Sequence, residues 1–221
     1  MIMPAFKTLR TTLLASVIGL ASLQGVASEG DSAAAAASLA ELQQRWAEIN
    51  YTLPPGEQAA AFSRLGDQAE QLVERYPDAA ELHIWVGIIR STEAGASGGL
   101  GALGLVKQAK KELETALELN PLALDGSAYT SLGALYYQVP GWPLGFGDEQ
   151  KAEWHLQRAL AINPEGIDSL YFWGDYLHEQ GRDAEARQAL ERALMAAPRL
   201  GRELADSGRR DDIRQLMSEL Q

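Results

Sequence analysis

Three stretches of this chain align without gaps on one pattern of small and large residues closed by a proline. They are Ala109, Leu113, Ala116 and Pro121; Ala152, Leu156, Ala159 and Pro164; and Ala186, Leu190, Ala193 and Pro198. In each, the steps are four, three and five residues. Steps of four and three put side chains on one face of an α-helix. Alanine there lets a neighbouring helix approach closely, and the proline ends the helix and redirects the chain. A unit this small cannot bury such a face alone, so the units must stack.

Each of these helices follows another with a glycine on its packing face: HIWVGIIR around Gly87, YTSLGALYY around Gly133 and YFWGDYLHEQG around Gly174. Gly174 to Ala186 is 12 residues, and Pro164 to Pro198 is 34. These are the offsets of the tetratricopeptide repeat (TPR), a helix-turn-helix unit of 34 residues. Three matches in register predict an all-α, right-handed TPR solenoid over residues 38–221, with repeats near 79–121, 124–164 and 166–198. LAELQQRWAEINYTL, a PPG turn and EQAAAFSRLGDQAEQLVERYP read as a degenerate hairpin over 38–77. At the other end Ile213, Leu216, Met217 and Leu220 share a face, which predicts a cap helix over 209–220 covering the last repeat.

Two repeats are too long. Gly87 to Ala109 is 22 residues and Gly133 to Ala152 is 19, against 12 in the regular unit. Both insertions are expected in the turn between the two helices of a repeat. There EAGASGGLGALG (93–104) and VPGWPLGFGD (139–148) would emerge side by side on one edge. The second is no flexible linker, because linkers of that kind lack large apolar groups. Pro140 and Pro143 stiffen it, and Asp148 is placed to cap the next helix. Trp142, Phe146 and Asp148 therefore form a candidate lip, either a structural plug with Trp142 buried or a partner-binding edge.

The front of the chain has the layout of a secretory signal. Lys7 and Arg10 precede the apolar run LLASVIGLASL (13–23), and Val26, Ala27 and Ser28 follow. Residues 1–28 are expected to be removed on export to the periplasm, leaving a flexible alanine-rich tether over 29–37. The apolar run is shorter than the ~20 residues a membrane span needs, which disfavours an uncleaved anchor, and no second run of that length follows, so no membrane insertion is expected after cleavage. Cleavage changes the net charge from −11 to −13, with 17 Lys and Arg against 30 Asp and Glu. Such a surface repels nucleic acid and anionic lipid and favours basic or neutral partners. With no cysteine, the chain has no disulfide, no thiolate metal site and no lipidation at the cleavage point.

GSAYTSLGALYYQVPGWPLGFGDEQKAEWHLQRALAINPEGIDSLYFWGDYLHEQGR, followed by GRELADSGRRDDI, resembles a group of exported bacterial TPR proteins of largely unassigned function. More distantly, the chain resembles the periplasmic T component associated with TRAP-type solute transporters. The resemblance implies a non-enzymatic helical adaptor or ligand-binding scaffold and supplies no catalytic residues.

The residues agree with that. The three histidines, His83, His155 and His178, have no partner at metal-ligand spacing, and HLQRA and HEQGR lack the second histidine of a zinc-protease helix. There is no GxSxG, and GGLGALG follows a helix rather than the strand a phosphate loop requires. No catalytic residue, metal or cofactor is expected.

The first helices of TPR repeats line the concave surface. Their inward positions are Glu81, Ile84, Ile88 and Ser91; Ser127, Thr130, Ala134 and Tyr137; and Asp168, Tyr171, Asp175 and His178. The candidate site is Thr130, Tyr137, Asp168, Tyr171, Asp175 and His178, an aromatic and acidic groove. It suits a cationic or basic peptide through cation–π contact and charge, or is simply a solvated face. The leading expectation is a periplasmic scaffold for a protein or peptide. The alternative is a small-solute carrier serving a membrane transporter.

Overall fold

The computed structural model describes residues 21–220. The chain divides at Ala34 into two units, and the second, Ala35–Gln221, holds the repeats. Among the described residues, α1 spans Ala21–Thr52, α2 Pro55–Arg75, α3 Ala80–Ser97, α4 Gly99–Leu119 and α5 Ser127–Gln138. They continue with α6 Glu149–Ile162, α7 Ile167–Glu179, α8 Asp183–Leu194 and α9 Glu203–Glu219. Most of the expected signal segment lies outside the described residues. The expected tether, residues 29–37, is instead helical within α1, as fits alanine's high helix propensity.

The small-large-small pattern becomes the seam of each hairpin. Ala109, Leu113, Ala116, Ala152, Leu156, Ala159, Ala186, Leu190 and Ala193 are all fully buried. Opposite each leucine stands the glycine of the preceding helix. A Cβ at Gly87 would lie 2.5 Å from Leu113, at Gly133 2.6 Å from Leu156, and at Gly174 2.8 Å from Leu190. Three equivalent Gly–Leu contacts make α3–α4, α5–α6 and α7–α8 copies of one hairpin. This is the TPR solenoid.

The N-terminal hairpin stacks on this series through Leu42, Trp46, Phe62 and Leu65. Arg90 of α3, only 5% exposed, ties α3 to α2. It donates to Asp67 (2.8 Å), to Glu70, and to Glu93 of its own helix (2.7 Å). Gly66 makes room, since a Cβ there would lie 2.3 Å from the guanidinium.

The first insertion is not a loop. α3 runs on to Ser97 and α4 begins at Gly99, with Gly98 at φ 60° as the whole turn. The segment contains no proline, and Ala94 and Glu93 are buried within α3, so ten extra residues lengthen two helices instead of bulging outward. The expected pair of neighbouring loops therefore reduces to one, residues 139–148.

That loop is ordered by its own backbone. The amide of Gly147 donates to Pro140 O (3.0 Å), Gly145 to Gly141 O (3.1 Å) and Asp148 to Tyr136 O (2.8 Å). A Cβ at Gly147 would lie 1.9 Å from Val139 O, so only glycine permits this crossing. Phe146 packs edge-on against Tyr136, with centroids 5.7 Å apart, and Asp148 caps α6 by accepting from the Lys151 amide (3.1 Å). Trp142, by contrast, is 90% exposed. The plug expectation fails for Trp142 because Phe146 and Val139 already fill the apolar space under the loop.

The C-terminal helix covers the last repeat, with Ile213, Leu216 and Leu220 in one cluster with Leu170, Leu177 and Leu190. It also begins six residues earlier than expected, at Glu203. Those added turns change the concave face.

Candidate functional site: a cavity closed by the last helix

α9 lies across the concave side of the solenoid and meets the first hairpin. Gly208 sits against the ring of Tyr51 so closely that a Cβ would lie 2.3 Å from it. The Tyr51 hydroxyl donates to Asp212 Oδ2 (3.2 Å). An open groove thereby becomes a cavity of about 320 Å³, with exposed Asp125 and Gln138 at its edge.

One wall is aromatic. Trp46 stands edge-on to Trp85 (centroids 5.9 Å apart) and to Tyr51 (5.8 Å), and its indole N–H donates to Thr92 (3.0 Å). α5 adds the hydroxyl residues Ser127, Thr130 and Ser131 to the lining. Beside them, Leu124 and Asp125 hold left-handed backbone at φ 47° and 55°. That conformation is rare for a side chain as bulky as leucine, and such strain concentrates at binding sites.

Another wall is basic. Arg199, from the segment before α9, and Arg209, from α9, grip Asp168 of α7 from two sides: Arg199 Nη1 donates to Oδ2 (2.7 Å) and Arg209 Nε to Oδ1 (2.8 Å). Arg199 also bonds buried Asp206 (2.7 Å), and Arg209 bonds Asp212 (3.0 Å). Arg209 further covers the ring of Tyr171, 4.3 Å from its centroid. Burial alone would raise the Asp168 pKa, but Arg209 and Arg199 outweigh it and hold the carboxyl below the usual range. Burial pushes the Tyr51 and Tyr171 hydroxyls up, Tyr171 to about 12, so both stay protonated donors.

Arg202 differs from both. It lines the cavity with its guanidinium 5.2 Å from the centre of the Trp85 ring. Among the described residues its buried Nε has no hydrogen-bond partner and no carboxylate lies within ion-pair distance. Burial first, then repulsion from Arg199, lowers its pKa. Trp85 leaves its own buried indole N–H without an acceptor.

Of the expected site residues, Thr130 and Asp168 line the cavity, as do the inward-projected Ile88, Ser91, Ser127 and Ala134. Tyr171 lies behind Arg209. Tyr137 and Asp175 do not line it; the Tyr137 hydroxyl donates to Asp175 between α5 and α7 (2.5 Å), and burial raises its pKa. His178 pairs with Asp183 at the α7–α8 turn (2.7 Å), a hydrogen bond that raises its pKa. The expected acidic groove is thus corrected: an incoming segment pairs Asp168 with two arginines, brings two aspartates of its own, and leaves Arg202 without an ion pair. The signal was present in GRELADSGRR, where Arg202, Ala205 and Arg209 fall on one helix face at steps of three and four.

Among the described residues, no group of His, Asp and Glu side chains could hold a metal ion, and no helix is long and apolar enough to cross a membrane. No family model matches the chain, and no curated protein does. Solved structures do. A thermophilic TPR protein of Thermus thermophilus superposes with a TM-score of 0.53 at 20% identity, covering 87% of this chain and 95% of that one. MamA gives 0.43 at 18%, covering 76% and 93%, and PilF of Pseudomonas aeruginosa 0.34 at 14%, covering 82% and 91%. The first of these likenesses is one of whole fold, and it agrees with the repeated Gly–Leu hairpins: this chain has the TPR solenoid fold.

Proposed function

We propose that this is a non-catalytic, exported TPR protein that binds a small solute in the concave cavity beneath its last helix, as an accessory to a membrane transporter. The observation that carries the reading is α9 lying across the concave face, with Gly208 against Tyr51. A partner helix needs an open groove ~10–12 Å wide, whereas a pocket of this volume is at the small end of those that take small molecules. Export rests on the charged start, short apolar run and small residues of positions 1–28. Native mass spectrometry of protein isolated from the cell envelope tests the reading. A co-purified small molecule is expected, and Ala134→Trp, which fills the cavity, should abolish it. A protein free of any small molecule in both forms contradicts the proposal.

A second reading has its own observation. Trp142 and Leu144, 90% and 68% exposed, stand on an ordered turn, and exposed tryptophan commonly anchors protein interfaces. The lip would then dock a protein partner, so that the chain acts as a scaffold outside the cavity. In-cell crosslinking from position 144 that captures a protein in the parent, and loses it in Trp142→Ala, would support this. An unchanged capture would refute it.

A further inference from the structure

The cavity's charges are uneven in a way that identifies its ligand. Arg199 and Arg209 are each satisfied by two aspartates. Arg202 sits among them with none, over the ring of Trp85, whose own N–H is also unsatisfied. Two buried donors without acceptors, on two residues that line the same cavity, are uncommon in native proteins and call for an acceptor from outside the chain. A lone cation in a poorly solvated site also costs stability that an anion would return. The rest of the lining includes apolar and aromatic side chains, Trp46, Ile88 and Phe172 with the Trp85 ring itself, and the hydroxyls of Ser127, Thr130 and Ser131.

We propose that the cavity binds a small organic carboxylate, its charged end against Arg202 and its apolar or aromatic body against Trp46 and Trp85. This rests on the reading of the cavity as a ligand site. Asp168 and Asp206 set the selectivity. Together with Asp212 they hold Arg199 and Arg209 and match the three arginines in number, so Arg202 is the one guanidinium of the three without an ion pair and can meet one carboxylate but not two, which favours a monoanion over a dianion. Trp46 and Trp85, set edge-on to each other, give the body an aromatic corner, and the α5 hydroxyls accommodate a hydroxyl or keto group on it. An inorganic anion alone would leave the aromatic wall empty and bind weakly.

The test compares benzoate with benzamide, its neutral isostere, by calorimetry on the full chain, using tryptophan fluorescence to report the aromatic wall. Benzoate should bind at least tenfold more tightly, as expected for a charge-assisted hydrogen bond. Arg202→Gln should erase that preference while leaving benzamide binding unchanged. Since Arg202 holds no ion pair, the variant should melt at or above the parent temperature, which keeps folding out of the comparison. Phthalate, a dianion, should bind more weakly than benzoate. Equal binding of benzoate and benzamide, blocked by Ala134→Trp, would overturn the carboxylate assignment and leave the cavity reading standing. Failure of both probes and of neutral indole would overturn the two together. If a tripeptide with a free C-terminus binds and its amidated form does not, while benzoate fails, the site takes a chain terminus and the small-solute assignment is wrong.

Discussion

Asp168→Asn removes one charge from the point where α7, α9 and the segment between α8 and α9 meet. The carboxylate accepts from Arg199 (2.7 Å) and Arg209 (2.8 Å), and the amide nitrogen of asparagine would face one of those donors instead. Breaking a buried ion pair by removing one partner costs about 3–5 kcal/mol. Here each arginine keeps a second aspartate, and the Asp168 side chain is 35% exposed where it lines the cavity, so solvent screening reduces the effect. About 1.5–3 kcal/mol remains. For a domain of this size that lowers Tm by about 3–12 °C. The acid limb adds a signature. The folded-state pKa is depressed, so the contribution is full above the unfolded value of about 4 and is lost as pH falls below it. The variant should therefore lose less stability than the parent between about pH 4 and pH 2. Urea melts across that range read both quantities. An Asp168→Asn protein with the parental melt at pH 7 and the parental acid limb would refute the ion-pair account of the cavity wall.

Gly133→Ala should place a methyl 2.6 Å from Leu156 and destabilise by about 1–3 kcal/mol, with Gly87→Ala and Gly174→Ala behaving alike; a neutral effect at all three would deny the shared hairpin seam. Trp142→Ala should leave Tm within about 1 °C of the parent, since the side chain is 90% exposed; a drop of several degrees would show it is packed after all. Burial pushes His155 down to about 4, so its contribution is complete above the unfolded value of about 6.5 and is lost as pH falls toward 4. His155→Phe, which keeps the stack on Tyr136, should flatten that window by on the order of 1 kcal/mol after allowing for partial exposure; identical curves would contradict it.

Repetition made the solenoid legible. Each hairpin reuses the same alanines, leucine, glycine and proline, so three weak local patterns reinforce one another, and all nine seam residues proved fully buried. The inserts were harder because spacing reports how many residues are extra, not what they do. EAGASGGLGALG has the glycines of a loop, yet its alanines and leucines extend α3 and α4. The site was half legible. Helix phase placed Thr130 and Asp168 on the concave face, because that depends on a residue's own helix. It could not place Arg199, Arg202 or Arg209, since their position depends on where a non-repeat segment folds back. Tyr137, Asp175 and His178 left the groove through pairings with neighbours that phase alone does not encode.

Closure of the concave face by α9 is the claim on which the cavity, its charge and its ligand all depend. The chain has no cysteine, so cysteines placed at Glu48 on α1 and Asp211 on α9 would carry the only spin labels. Double electron–electron resonance between them measures the closure directly. A closed ring predicts one short, narrow distance distribution, which Gly208→Val should lengthen by forcing α9 away from Tyr51. A broad distribution in the parent protein, unchanged by Gly208→Val, would mean that α9 does not close the face.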